Sequence, residues 1–177
     1  MYNRINYLLF GIALMIFTGC SEEFIDPQRN TNNLTSENLA EAAENNPDLV
    51  KGTLDGITGF MADDQAIAPG RHYDFGQKAV DIWLDITTGD MALSASSFGW
   101  YNGTANLVAQ TDFSQEENQI IWDYYYKVVG LANAVISTLG GEEAAPEARE
   151  NQIILAQAKA YRGYAYFYLT QIFQNDY

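Results

Sequence analysis

Two stretches of this chain repeat apolar side chains in alternating steps of four and three residues. Ile121, Tyr125, Val128, Ala132, Val135 and Leu139 form the first, and Ile154, Ala158, Tyr161, Ala165, Tyr168 and Ile172 the second. Such steps line up side chains on one face of an α-helix, with about 3.6 residues per turn, whereas a strand would need strict alternation. Each run therefore predicts a long helix with one face committed to a neighbour. Glu116 and Glu117 suit the positive start of the first helix, and Gly140–Gly141 ends it. A loop from Gly140 to about Pro146 then joins the two as an antiparallel αα-hairpin. No segment alternates convincingly, so the expected fold class is all-α.

Shorter helices precede the pair. Asn46-Pro47-Asp48 reads as a helix start: Asn caps, Pro is tolerated in the first turn, and Asp favours the positive end. Leu49, Val50, Leu54, Ile57 and Phe60 or Met61 continue at helical spacing. Gly52, Gly56 and Gly59 interrupt this helix, each at a cost of about 1 kcal/mol relative to Ala. Their expected reason is close approach of a neighbouring helix, as for the small residues Ala156, Ala160 and Gly163 further on. Val80, Trp83, Leu84 and Thr87 mark a helix over Gly76–Thr87, and Ser36 caps a plausible short one reaching Glu44. From Thr88 to Ser114 no period is sustained, and a loop this long in a compact domain is usually functional or disordered.

Cys20 is the one cysteine of the 177 residues. Arg4 in a short polar start, an apolar run of 11 residues from Tyr7 to Phe17 and the small pair Thr18–Gly19 precede it. That is the order of a secretory signal, and the run is short of the roughly 20 residues that span a bilayer. Phe17-Thr18-Gly19-Cys20 resembles the lipobox of bacterial lipoproteins, which implies cleavage before Cys20 and acylation of it; an ordinary signal peptide followed by a chance cysteine is the alternative. Three acyl chains would exceed what stable membrane attachment requires. The expected organisation is a signal peptide over 1–19, an acylated tether over 20–36 rich in Asn and Thr, and a helical domain over 37–177. The chain ends directly off an apolar helix at Tyr177, which reads as the N-terminal part of a longer protein.

Removal of residues 1–19 takes away Arg4, leaving 8 of the 9 basic residues against 23 acidic ones. So acidic a surface repels phosphate backbones, and nucleic acid is not an expected partner. It equally disfavours anionic lipid head groups, so the lipid must do the anchoring. Without disulfides, a secreted chain of this size holds together by core burial alone.

Several chemistries are missing from the sequence. One His and one Cys leave no Cys–His nucleophile and no Cys-rich or multi-His metal centre, and His72 reads as a solvated loop residue. Asp63–Asp64, Asp81, Asp85 and Asp90 lack the offsets of an EF-hand and read as solvated surface. There is no phosphate loop, serine elbow or dinucleotide fingerprint, so neither cofactor nor metal is expected. The best binding candidate is Phe98-Gly99-Trp100-Tyr101-Asn102-Gly103, in which Trp100, Tyr101 and Asn102 combine flat rings with an amide. Ring faces stack on the apolar faces of sugars, and an amide both donates to and accepts from hydroxyls. The competing reading has Trp100 folded back as a core plug. The aromatics Trp122, Tyr124, Tyr125, Tyr126 and Tyr161, Tyr164, Tyr166, Tyr168 are read as core and interhelix packing. They exceed what one hairpin buries, which implies further helices or a partner protein on the second face.

Four blocks carry a family resemblance: Cys20 followed by Ser21-Glu22-Glu23; Asp74-Phe75-Gly76 with Gly89-Asp90-Met91; Trp122-x-x-Tyr125-Tyr126-Lys127 running on to Ala132-Asn133-x-Val135-Ile136; and Ala156-x-Ala158-x-Ala160-x-Arg162-x-x-Ala165-x-x-Tyr168-Leu169. Together they resemble the SusD/RagB family, outer-membrane nutrient-binding lipoproteins of Bacteroidetes. The resemblance implies tetratricopeptide-like helical hairpins with a long ligand-facing loop, no catalysis, and export to the cell surface. It also implies delivery of glycans or other oligomers to a SusC-like TonB-dependent transporter, with Trp100, Tyr101 and Asn102 in a stretch comparable to the sugar-stacking loop of starch-binding members. The alternative reading is a tethered helical scaffold that binds only other proteins, and a surface glycosidase comes third.

Overall fold

The computed structural model describes residues 46–95 and 98–174, with residue 42 alone before them. Cys20, the expected signal and tether and, but for residue 42, the short helix from Ser36 to Glu44 lie outside these residues. The described residues form five helices and no strand: α1 (Pro47–Met61), α2 (Gln77–Thr88), α3 (Asn102–Ala105), α4 (Glu116–Thr138) and α5 (Arg149–Phe173). The class is all-α.

The two long periodic runs are α4 and α5, which pack along each other, and α1 lies against both. Ile121, Tyr125, Val128, Ala132 and Val135 of the first run are buried, as are Ile154, Ala158 and Ala165 of the second. α4 also buries Ile120, Tyr124, Val129 and Ile136, so its inward face is broader than a single stripe and serves two neighbours. Tyr125 stands at the centre, stacked on Tyr168 at 5.4 Å and edge-on to Tyr124 at 5.0 Å. Gln77 of α2 satisfies both hydroxyls: its Nε2 donates to Tyr125 Oη, and Tyr124 Oη donates to its Oε1, each at 3.3 Å.

The hairpin loop is clamped from α5. Arg162 donates through Nη2 to both carboxylate oxygens of Glu142, at 2.9 and 2.7 Å, and through Nη1 to Asn133 Oδ1 at 3.1 Å. Lys159 Nζ adds a bond to the Glu142 carbonyl at 2.6 Å.

Three expectations need correction. Gly52, Gly56 and Gly59 do not mark a close approach: among the described residues, nothing lies within 4 Å of where a Cβ would sit on any of them. α1 buries Val50, Leu54 and Ile57, and the glycines fall on its other face. Ala156, Ala160 and Gly163 are likewise exposed. Second, the stretch from Thr88 to Ser114 is not irregular throughout, because α3 forms one helical turn within it, too short to leave a period. Third, the aromatic residues divide: Tyr124 and Tyr125 are core, whereas Trp122, Tyr126 and Tyr166 are exposed. Asn46 precedes α1 as expected, but its side chain makes no capping bond; only its carbonyl accepts, from the Leu49 N–H at 3.1 Å.

Glycine is required between α1 and α2. Gly76 has φ 72°, and a Cβ there would run into the Met61 carbonyl. The end of α1 and the start of α2 thus touch backbone to backbone. Among the described residues, no helix is long and apolar enough to cross a membrane.

Candidate functional site

Two loops converge on the candidate surface. The first, residues 62–76, folds around the buried side chain of Asp74. Its Oδ2 accepts the N–H groups of Ile67 and Ala68 at 2.8 and 2.7 Å, and its carbonyl accepts the Gln65 N–H at 2.6 Å. A buried carboxylate needs such donors, and here the loop's own backbone supplies them. Tyr73 Oη and Arg71 Nε then fasten the loop to the start of α4, donating to Glu116 at 2.5 and 2.9 Å. The Tyr73 hydroxyl, with Arg71 beside it, holds the Glu116 carboxyl below its ordinary range. Burial, followed by the bond to Glu116, pushes the Tyr73 phenol up. His72 is thereby held at the surface between two anchored residues.

The second loop approaches from α3. Phe98, Gly99 and Tyr101 have φ of 54°, 79° and 60°, so two non-glycine residues sit in the left-handed region, where strain is stored. This turn sends adjacent side chains in opposite directions. Trp100, half-buried, has its ring centroid 5.0 Å from His72 and 5.7 Å from Phe98, with interplanar angles of 31° and 32°. Phe98 itself is 89% exposed. Tyr101 turns inward, 5.9 Å from Tyr73 and 6.0 Å from Trp83. Burial pushes its phenol up to about 12. The Tyr101 hydroxyl and the Trp83 indole N–H are both buried without a partner among the described residues, each at an expected cost of about 1–3 kcal/mol if left unpaired.

Asn102 opens α3, its carbonyl accepting the Asn106 N–H at 3.0 Å and the Asn106 side-chain amide at 2.8 Å. Its own amide makes no hydrogen bond among the described residues, and the residue lines an open depression of about 650 Å³ with Met91, Leu93 and Asn106. The three residues singled out from sequence are therefore not one flat surface. Trp100 and Asn102 are half-buried and keep part of their surface exposed, while Trp100 and Tyr101 both pack against the core. The rings beside Trp100 are Phe98 and His72. His72 is exposed, as expected, but its ring also lies against Trp100 at a tilt. No periodic signal links His72 to Trp100 along the intervening sequence, so only the fold brings them together.

Chemically this is a surface of neutral ring faces bordered by an amide. Asp63, Asp64, Asp85 and Asp90 are exposed, and Asp81 accepts from Gln77 Nε2 at 2.8 Å. Among the described residues, no group of three or more His, Cys, Asp or Glu is placed to hold a metal ion. Stacking and hydroxyl hydrogen bonding are what the arrangement offers.

No curated protein and no solved structure matches the chain. A family model described as SusD-like, starch-binding associating with outer membrane, matches residues 68–176. That span contains His72, Asp74, the loop that carries Trp100, the α4–α5 hairpin and its clamp, and by it the chain belongs to the SusD-like family of starch-binding, outer-membrane-associated proteins.

Proposed function

We propose that the chain is a glycan-binding lipoprotein of the outer membrane, anchored through Cys20, that presents oligosaccharides to a SusC-like TonB-dependent transporter. The observation that carries this reading is the half-buried Trp100 ring clustered with the exposed His72 and Phe98, on a member of a family described as starch-binding. Trp100 supplies the stacking face, Asn102 the amide for hydroxyls, and Tyr101 the support on which the turn rests. The domain division follows: a signal over 1–19, a lipid-bearing tether over 20–36, and a binding domain from 37 onwards. Catalysis has no part in it. Cells displaying the parent should bind a fluorescent oligosaccharide, and cells displaying equal amounts of Trp100→Ala should not. Cys20→Ala should leave the outer-membrane fraction; its retention there would refute the anchor.

A helical scaffold that binds only proteins draws on a different observation. Trp122 and Tyr126, with centroids 4.6 Å apart, and Tyr166 all face outward from the hairpin. Under that reading, Trp122→Ala would abolish recovery of the transporter or another partner on affinity purification, and no oligosaccharide would bind.

A further inference from the structure

A groove of about 480 Å³ opens between α2, α4, α5 and the turn before α4, within the roughly 300–1,000 Å³ typical of small-molecule sites. Its walls include two outward-facing rings, Phe113 and Phe167, 72% and 59% exposed, and the buried Trp83. Three amides, Gln110, Asn118 and Gln171, join them. Gln110 Nε2 donates to Thr87 Oγ1 at 2.9 Å, and Asn118 Nδ2 donates to the Ala109 carbonyl at 2.7 Å. With their nitrogens thus engaged, both amides are left with their oxygens as acceptors. Trp83, only 2% exposed, lies behind this wall with its indole nitrogen buried. Among the described residues, Glu117 is the one charged residue of the lining, so an anionic ligand is disfavoured.

Ring faces and amide acceptors together suit a neutral ligand that carries apolar ring faces and donating hydroxyls. We propose that this groove is a second sugar-binding site, separate from the Trp100 surface, that takes a neutral pyranose unit of an oligosaccharide. Phe113 and Phe167 lie against ring faces, and the oxygens of Gln110 and Asn118 accept from hydroxyls. The proposal rests on the reading of the chain as a glycan binder. It adds that one chain engages an oligosaccharide at two places.

The chain has three tryptophans, Trp83, Trp100 and Trp122, which makes fluorine NMR of the 5-fluorotryptophan-labelled protein a direct test. Trp100→Phe and Trp122→Phe assign two resonances and leave the third to Trp83. On titration with maltoheptaose, the Trp83 resonance should move saturably. Phe113→Ala and Phe167→Ala should each raise its midpoint roughly fivefold to tenfold, the loss of one stacking contact. Both rings are exposed, and unchanged circular dichroism confirms that the variants fold. If only the Trp100 resonance moves, the groove proposal is wrong and the glycan reading stands. If Trp83 responds equally in the parent and in both phenylalanine variants, its response is relayed from the loop, and the groove proposal again falls. If no tryptophan responds, maltoheptaose binds at neither place and both readings fail for this sugar class.

Discussion

Asp74 directs its carboxylate into its own loop, and the position of His72 depends on it. Asp74→Ala would strand the N–H groups of Ile67 and Ala68, a loss of about 2–4 kcal/mol by the usual cost of buried unpaired donors. Urea unfolding should show it as a lower midpoint with an unchanged slope. Gly76→Ala should be at least as damaging, because the added methyl meets the Met61 backbone carbonyl and not a movable side chain. Glu116 gives a pH dependence with a definite sign. Its carboxyl is held low in the folded protein by the Tyr73 hydroxyl and by Arg71. Its contribution is therefore present above the unfolded carboxylate value and is lost as pH falls through the lower folded value. The stability gap between the parent and Glu116→Gln should be flat near neutrality and close on acidification. A gap that widens in acid would contradict the tie. None of these contacts was legible in sequence: Asp74 and Gly76 stood in a family-like block, but nothing local showed that one is buried and the other touches α1.

Among the elements, α4 and α5 were the most legible, because a run of six apolar residues at alternating four- and three-residue steps leaves few alternatives to a helix. The resemblance-bearing residues Asn133 and Arg162 lie in those helices and meet through one hydrogen bond, with Glu142 of the connecting loop joining them. Their role here is to hold the hairpin turn. Arg162→Ala should raise amide hydrogen exchange over residues 139–148 and leave the helices protected. If exchange in the loop does not change, the clamp is not what orders it. The α1 glycines were misread for a physical reason: helical spacing shows that 52, 56 and 59 share a face, but not whether that face is covered. As it is open among the described residues, Gly56→Ala should stabilise the protein by about 0.5–1 kcal/mol in thermal melts. Destabilisation would instead mean that a helix packs there.

For the whole molecule, Tyr73, Tyr124 and Tyr125 are buried within an otherwise mainly aliphatic core, and the aromatics of the two long helices divide between core and surface. Burial raises the phenols of Tyr73, Tyr124, Tyr125 and Tyr164 above their ordinary value of 10.0. A raised value means that their contribution is intact below that pH and is lost as pH climbs through the folded values. Part of the phenolate absorbance should thus appear only as the helical signal disappears in base; full ionisation with the helices intact would count against the core described here.

The candidate site was half legible. Trp and Tyr beside Gly and Asn in a polar stretch singled out this loop as the candidate, but the course of its backbone is set by the left-handed turns at Phe98 and Tyr101, and His72 reaches Trp100 only through the fold. The central claim, glycan recognition at Trp100, is tested most directly by titrating the parent and Trp100→Ala with the same oligosaccharide while circular dichroism follows helix content in both. Stacking of a single ring face supplies only a few kcal/mol before ordering costs, so the parent should bind in the micromolar to millimolar range. The account predicts that Trp100→Ala keeps the parent's helical signal and loses at least about tenfold in affinity. Unchanged affinity in a folded variant, or unfolding of the variant, would contradict it.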